Sequence, residues 1–226
     1  MSATTPDAGT GDARYAQVVS FPGASERRRR LPPLIAGLFV LGFAISVSAR
    51  ARLGVSPWDV LHQGIAHVAH LSFGLVVVLV GLVVLVVWRP LHQRLGVGTV
   101  LNTLSVGFIA NLGIYLIPEQ HELAARIPML LGSVVMFGIG GGLYIGSGLG
   151  PGPRDGLMTA IAARGYPVWA VRTGLECSAL VAGYLLGGHV GVGTVLLAFT
   201  IGPVTHAGLG RFHLPVRDEA PEVLGE

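Results

Sequence analysis

The residues best placed to do chemistry are two aspartates, Asp59 and Asp155, which occupy the same place in a string that occurs twice. The first copy reads Leu53-Gly54-Val55-Ser56-Pro57-Trp58-Asp59-Val60-Leu61, and the second Leu149-Gly150-Pro151-Gly152-Pro153-Arg154-Asp155-Gly156-Leu157. Ser56 or Gly152, then proline, then aspartate is the pattern of a helix start. Proline's missing N–H costs nothing in a first turn, and a carboxylate there is favoured by about 0.3–1 kcal/mol. One reading is that both aspartates cap short helices. The other is that two helix ends, with ionisable groups beside them, line a substrate path where a carboxylate binds a cation or takes up a proton. The readings are compatible, because a cap can also face a cavity.

His62 and Gln63 follow Asp59 by about one helical turn, so Asp59 and His62 share a face. Their counterparts are Met158 and Thr159, which makes this polar cluster private to the first copy. His62, His67 and His70 lack a metal-ligand spacing, so no metal is expected. Arg172 and Glu176 lie four residues apart in an apolar run and can pair along one helix face, as a structural pair or as a gating or substrate contact. Asn102 and Asn111 sit in another apolar run, where asparagines bond neighbouring helices or, for Asn102, border the path. Pro57, Trp58, Pro153 and Arg154 complete the expected path at the two helix starts. No nucleophile elbow, His-Glu-x-x-His or paired-cysteine site is present, so no cofactor and no enzymatic activity is expected. Cys177 reads as a buried structural thiol.

The elements that must position these groups are apolar spans. The chain is 51% hydrophobic and 12% charged, against roughly a quarter charged in soluble domains. That makes it an all-α membrane protein. Its net charge of +3 comes from arginines at span ends, not from a basic domain, so nucleic acid is excluded as a partner. Expected spans are 32–50, 73–88, 98–117, 128–147, 169–187 and 192–210. The segments 57–70 and 153–165 are too short and polar to cross, and read as short helices that enter part-way or lie at the interface.

The repeat extends beyond the motif. Arg30-Leu31-Pro32 matches Arg126-Ile127-Pro128 at an offset of about 96 residues, and Gly96-Val97-Gly98-Thr99 matches Gly191-Val192-Gly193-Thr194. Gly54, Gly150 and these glycine-threonine strings read as hinges and close-packing points. Gly138, Gly142, Gly146 and Gly150 form a stripe at four-residue spacing. Two three-span repeats follow, 31–117 and 127–210, joined by an external loop at 118–126 and flanked by disordered cytoplasmic tails at 1–30 and 211–226. Three spans is an odd number, so the second repeat enters from the opposite side and the two are inverted. Arg27–Arg30, Arg89, Arg94, Arg154, Arg164, Arg211 and Arg217 then fall inside, with both termini cytoplasmic in a bacterial inner membrane.

The run Leu53 to Gly64, with Pro-Trp-Asp-Val-Leu-His-Gln-Gly at its centre, resembles the YczE/YyaS/YitT-type bacterial integral membrane proteins, as do Gly152–Gly156 and Gly191–Thr194. The likeness spans about residues 31–210. It implies a multi-pass inner-membrane protein. Members are described as permeases in some cases, and in others linked to secondary-metabolite production. The leading expectation is a small-molecule or ion permease. The alternative is a membrane accessory protein that moves nothing and supports a partner complex. The expected partners are the lipid bilayer, a small molecule or ion, and a second copy or other membrane protein.

Overall fold

The computed structural model describes residues 24–93, 95–212 and 214. Among these the chain is all-helical. In order, the helices are α1 (Ala24–Ala51), α2 (Pro57–Ala69), α3 (Phe73–Trp88), α4 (Val97–Leu116), α5 (Leu123–Gly146), α6 (Pro153–Ala162), α7 (Val168–Leu185) and α8 (Val192–Phe212). The two short helices α2 and α6 stand where the Ser-Pro and Gly-Pro starts predict them.

Five helices, α1, α3, α4, α5 and α8, are long and apolar enough to cross a membrane. The segment expected as a sixth span forms α7, which is 18 residues long. Arg172 and Glu176 hold its hydropathy below that of the other five, and it is not among them.

Both tail boundaries need correction. The tail expected over 1–30 is helical from Ala24, and Arg30 is buried at 2% exposure. The reason is a long-range cap: Arg30 donates to the Ser147 carbonyl at 3.1 Å, at the C-terminal end of α5, and pairs with Glu26 at 2.8 Å. At the other end α8 continues to Phe212, and the Leu214 N–H donates to the Gly146 carbonyl at 3.1 Å. Residues 1–23, Arg94 and Arg217 lie outside the described residues.

Glycine lets the central helices approach closely. A Cβ added at Gly37 on α1 would stand 2.6 Å from the Tyr144 backbone nitrogen on α5, and one at Gly140 2.9 Å from the Leu41 nitrogen. The expected stripe seats Gly138 and Gly142 against Val204 and Gly208 of α8, whereas Gly150 lies past the helix in the following loop. Around this seam α1, α4, α5 and α8 share the main apolar core, which includes Leu34, Ala44, Ala110, Phe137 and Leu197. Trp88, Val84 and Leu157 make a second cluster between α3 and α6.

The two motif copies are held by each other's halves. The Gly193 N–H donates to the Leu53 carbonyl at 2.7 Å, and the Gly98 N–H to the Leu149 carbonyl at 2.8 Å. Gly54 (φ +115°) fits under Thr194, and Gly150 (φ +125°) under Thr99. Each threonine hydroxyl accepts the N–H of the glycine three residues before it, Gly191 and Gly96. The arginines repeat the exchange: Arg126 donates to the Ala51 and Arg52 carbonyls that end α1, as Arg30 does for α5.

Candidate functional site: a charged cavity at two helix starts

The start of α2 is built around one carboxylate. Ser56 caps the helix by accepting the Asp59 N–H at 3.3 Å, and its hydroxyl donates back to Asp59 Oδ2 at 2.6 Å. One turn on, His62 Nδ1 stands 3.3 Å from Asp59 Oδ1, and the Phe73 ring meets the imidazole edge-on at 6.0 Å. Asp59 is 4% exposed and His62 8%. This carboxylate is therefore buried and held by its cap and by its own helix.

The start of α6 is different. Gly152 occupies the cap position with no side chain to offer, and no side-chain cap bond forms there. Asp155 does not cap. Its carboxylate lies 3.8 Å from Arg154 Nε, and Arg154 reaches within 3.9 Å of Glu176 on α7. Glu176 pairs with Arg172 at 3.3 Å, as their spacing predicts. The Arg172 guanidinium rests against Gly202 on α8, where an added Cβ would meet it at 2.6 Å. Two bonds fix the loop before α6: Thr99 Oγ1 to the Pro151 carbonyl at 2.7 Å and Trp88 Nε1 to the Pro153 carbonyl at 3.1 Å.

Both helix starts border one cavity of about 200 Å³, and all eight helices contribute to its wall. Asp59, His62, Trp58, Asn102, Arg154, Asp155, Pro153 and Arg172 line it. Glu176 sits behind Arg172 in a side pocket of about 10 Å³ that also touches Trp58 and Asp155. Pro57 is buried at the first position of α2 and Gln63 accepts the His189 N–H at 3.1 Å, so neither is part of the cavity wall. Asn111 likewise serves the fold, accepting the Gly74 N–H at 2.8 Å and donating to Ser72 at 3.2 Å to pin the start of α3.

Tyr144 is absent from the sequence expectations, because a tyrosine in a glycine-rich apolar span reads as core. It is 2% exposed, borders the cavity, and its enclosed hydroxyl has no hydrogen-bond partner among the described residues. The Trp58 indole N–H is buried in the same condition. Such orphaned groups are rare and costly in a finished interior. Around Gly152 three polar groups converge: a Cβ there would lie 3.3 Å from the Tyr144 hydroxyl, 3.3 Å from Asp155 Oδ2 and 3.8 Å from Asn102 Nδ2. Phe137 and Thr103 add to the wall and were also not foreseen. Cys177, expected to be buried, is exposed, because α7 turns that face away from α2 and α6.

A helical chain with several spans and a charged cavity between them is a multi-pass membrane protein. Comparison with known proteins agrees and gives the family. Residues 28–208 match the model of a family of unknown function (DUF6198), and the chain belongs to it. It is 38% identical over 172 residues to an uncharacterized protein of Haemophilus influenzae, covering 76% of this chain and 79% of the relative. It is 33% identical over 184 residues to the uncharacterized membrane protein YczE of Bacillus subtilis, covering 80% of this chain and 83% of the relative. With the Bacillus subtilis protein YyaS it shares 26% identity over 178 residues. The resemblance drawn from the motifs therefore holds. No solved structure matches the chain.

Proposed function

We propose that the protein is a small-molecule or ion permease of the bacterial inner membrane, with the cavity between the two Asp-bearing helix starts as its substrate site. The observation that carries this is the convergence of Asp59 and Asp155, together with Arg154 and Arg172, on one cavity between the helices. Ionisable side chains are costly within a membrane protein and mark substrate or ion pathways.

The architecture we propose is two inverted three-span repeats, with α7 as the sixth span and both termini cytoplasmic. Support for a crossing α7 comes from what its ends approach. It begins just after Arg164, which donates to the Pro90 carbonyl, and it ends in the loop whose His189 and Gly193 bond Gln63 and Leu53. Support for inversion comes from the reciprocal bonds of Leu53 with Gly193 and of Leu149 with Gly98. In the six-span topology Arg50, Arg52 and Glu119 are external, where Glu119 pairs with both arginines at 2.7 and 2.8 Å.

The test is flux of candidate solutes into proteoliposomes for the wild type, Asp59→Asn and Asp155→Asn. Both variants are expected to insert and fold while losing transport. Wild-type flux in either one overturns the assignment of the path. A wild-type protein that moves nothing and co-purifies with a stoichiometric partner would instead be a membrane accessory protein.

A further inference from the structure

The charges around the cavity do not balance, and the imbalance points to a ligand class. Two carboxylates, Asp59 and Asp155, and two guanidiniums, Arg154 and Arg172, line the cavity, and a third carboxylate, Glu176, stands behind Arg172 in the side pocket. Arg172 is bonded to Glu176, and Arg154 lies between Asp155 and Glu176. That leaves Asp59 with no guanidinium. Its partners are the Ser56 hydroxyl and His62. With His62 neutral the set carries one unbalanced negative charge, in a buried site where such a charge is poorly solvated. A proton on His62 removes the imbalance. So does a bound monocation.

The rest of the wall suits an organic cation better than a bare ion. Trp58, Tyr144 and Phe137 line the cavity, and aromatic rings stabilise a desolvated ammonium. A volume of about 200 Å³ holds a small metabolite and not a peptide.

We infer that the cavity binds a small organic monocation, in competition with a proton on the Asp59–His62 pair. Binding expels the proton and protonation expels the cation, since two positive charges beside one carboxylate repel in a dry site. This rests on the permease reading and adds its coupling: exchange of cation for proton. The groups that face His62 are consistent with it. Its own helix offers Asp59, α3 offers the uncharged Phe73, α7 offers Arg172 already paired with Glu176, and α8 presents Ile201, Gly202 and Thr205 at the cavity. Across the cavity stand Arg154 and Asp155 of α6 and Tyr144 of α5.

The experiment is calorimetric titration of the purified full-length protein with choline and ethanolamine, with acetate and glycerol as the anionic and neutral probes. Each titration is run in two buffers of different ionisation enthalpy, so that proton release is read directly. The expected result is binding of the cations alone, with proton release approaching one per site in mildly acidic buffer. Affinity should rise by about tenfold or more when the buffer is taken from about pH 5.5 to about pH 7.5. His62→Gln should bind at every pH without releasing protons, and Asp59→Asn should not bind. Proton release by the wild type needs no variant, so misfolding of either substitution does not remove the test. Binding of acetate, cation binding without proton release, or no binding of either cation overturns the inference. Binding and proton release without flux would leave this inference standing and sink transport. Flux that proceeds without cation–proton exchange would do the reverse.

Discussion

Gly156 and Trp88 provide the sharpest test of how the two halves are packed. A Cβ built on Gly156 would fall inside the edge of the Trp88 ring, against Cζ2 and Cη2. The ring has nowhere to retreat, being 1% exposed, packed on Val84 and Leu157, and tied by its indole N–H to the Pro153 carbonyl. Overpacking a fixed site costs about 1–3 kcal/mol, so Gly156→Ala should destabilise by that amount. Trp88→Ala should cost about 3–5 kcal/mol for the lost ring, with about 1 kcal/mol more for the Pro153 bond. In the double variant the added methyl enters vacated space. Gly156→Ala should then cost nothing further, giving a coupling of about 1–3 kcal/mol between the sites. Reversible unfolding in mixed detergent, followed by circular dichroism, measures all four corners of the cycle. Additivity within about 0.5 kcal/mol would refute the close contact and the packing argument built on it.

Three further outcomes follow from other contacts. Gly54→Ala and Gly150→Ala each place a Cβ at positive φ and within 2.6 and 2.7 Å of a threonine hydroxyl, so each should lose about 2–6 kcal/mol; equal thermal stability to wild type would be the contrary result. Arg30→Met removes the cap on Ser147 and the partner of Glu26, and should cost about 1–3 kcal/mol in the same unfolding assay, whereas an exposed tail arginine would cost nothing. On a Cys177→Ser background, cysteines introduced at Glu119 and His189 should both react with a membrane-impermeant maleimide from the outer face, and one at Arg164 should not. Protection of position 189 with labelling of position 119 would contradict the six-span topology.

Element identity was legible because apolar run length and proline–aspartate helix starts are local signals, and they mark α2 and α6 as clearly as the long spans. The pairing between halves was not. Gly54 and Thr194 both stand out in the sequence, yet nothing local says that the first motif seats under the second half's threonine. Arg30 was misread for the same reason: four arginines before a span look like a surface block, while its partner carbonyl lies 117 residues away. Arg172 and Glu176 were legible as a pair, four residues apart on one helix. Their role at the cavity was not, since Arg154 and Gly202 complete the arrangement from α6 and α8. Tyr144 could be found only by seeing that a buried hydroxyl goes unpaired, which is a property of packing and not of the string.

The halves differ most around the two aspartates. The scaffold contacts recur with their residue types kept: arginine on carbonyl, glycine under threonine, N–H to leucine carbonyl. Elsewhere glycines make room for different groups. On α7 it is the α2 backbone at Val60 and Leu61 that lies on Gly183, whereas Gly156 on α6 makes room for the Trp88 ring of α3. Around the aspartates the residue types change in kind. Ser56, Trp58 and His62 stand against Gly152, Arg154 and Met158, so one carboxylate is held by a hydroxyl and an imidazole and the other lies beside an arginine. Two identical copies would bring two uncompensated carboxylates to one dry cavity, where like charges repel strongly. Replacing the second copy's tryptophan with Arg154, next to the Arg172–Glu176 pair, leaves Asp59 as the carboxylate without a guanidinium. That is the arrangement a single cationic ligand, or a single proton, would complete.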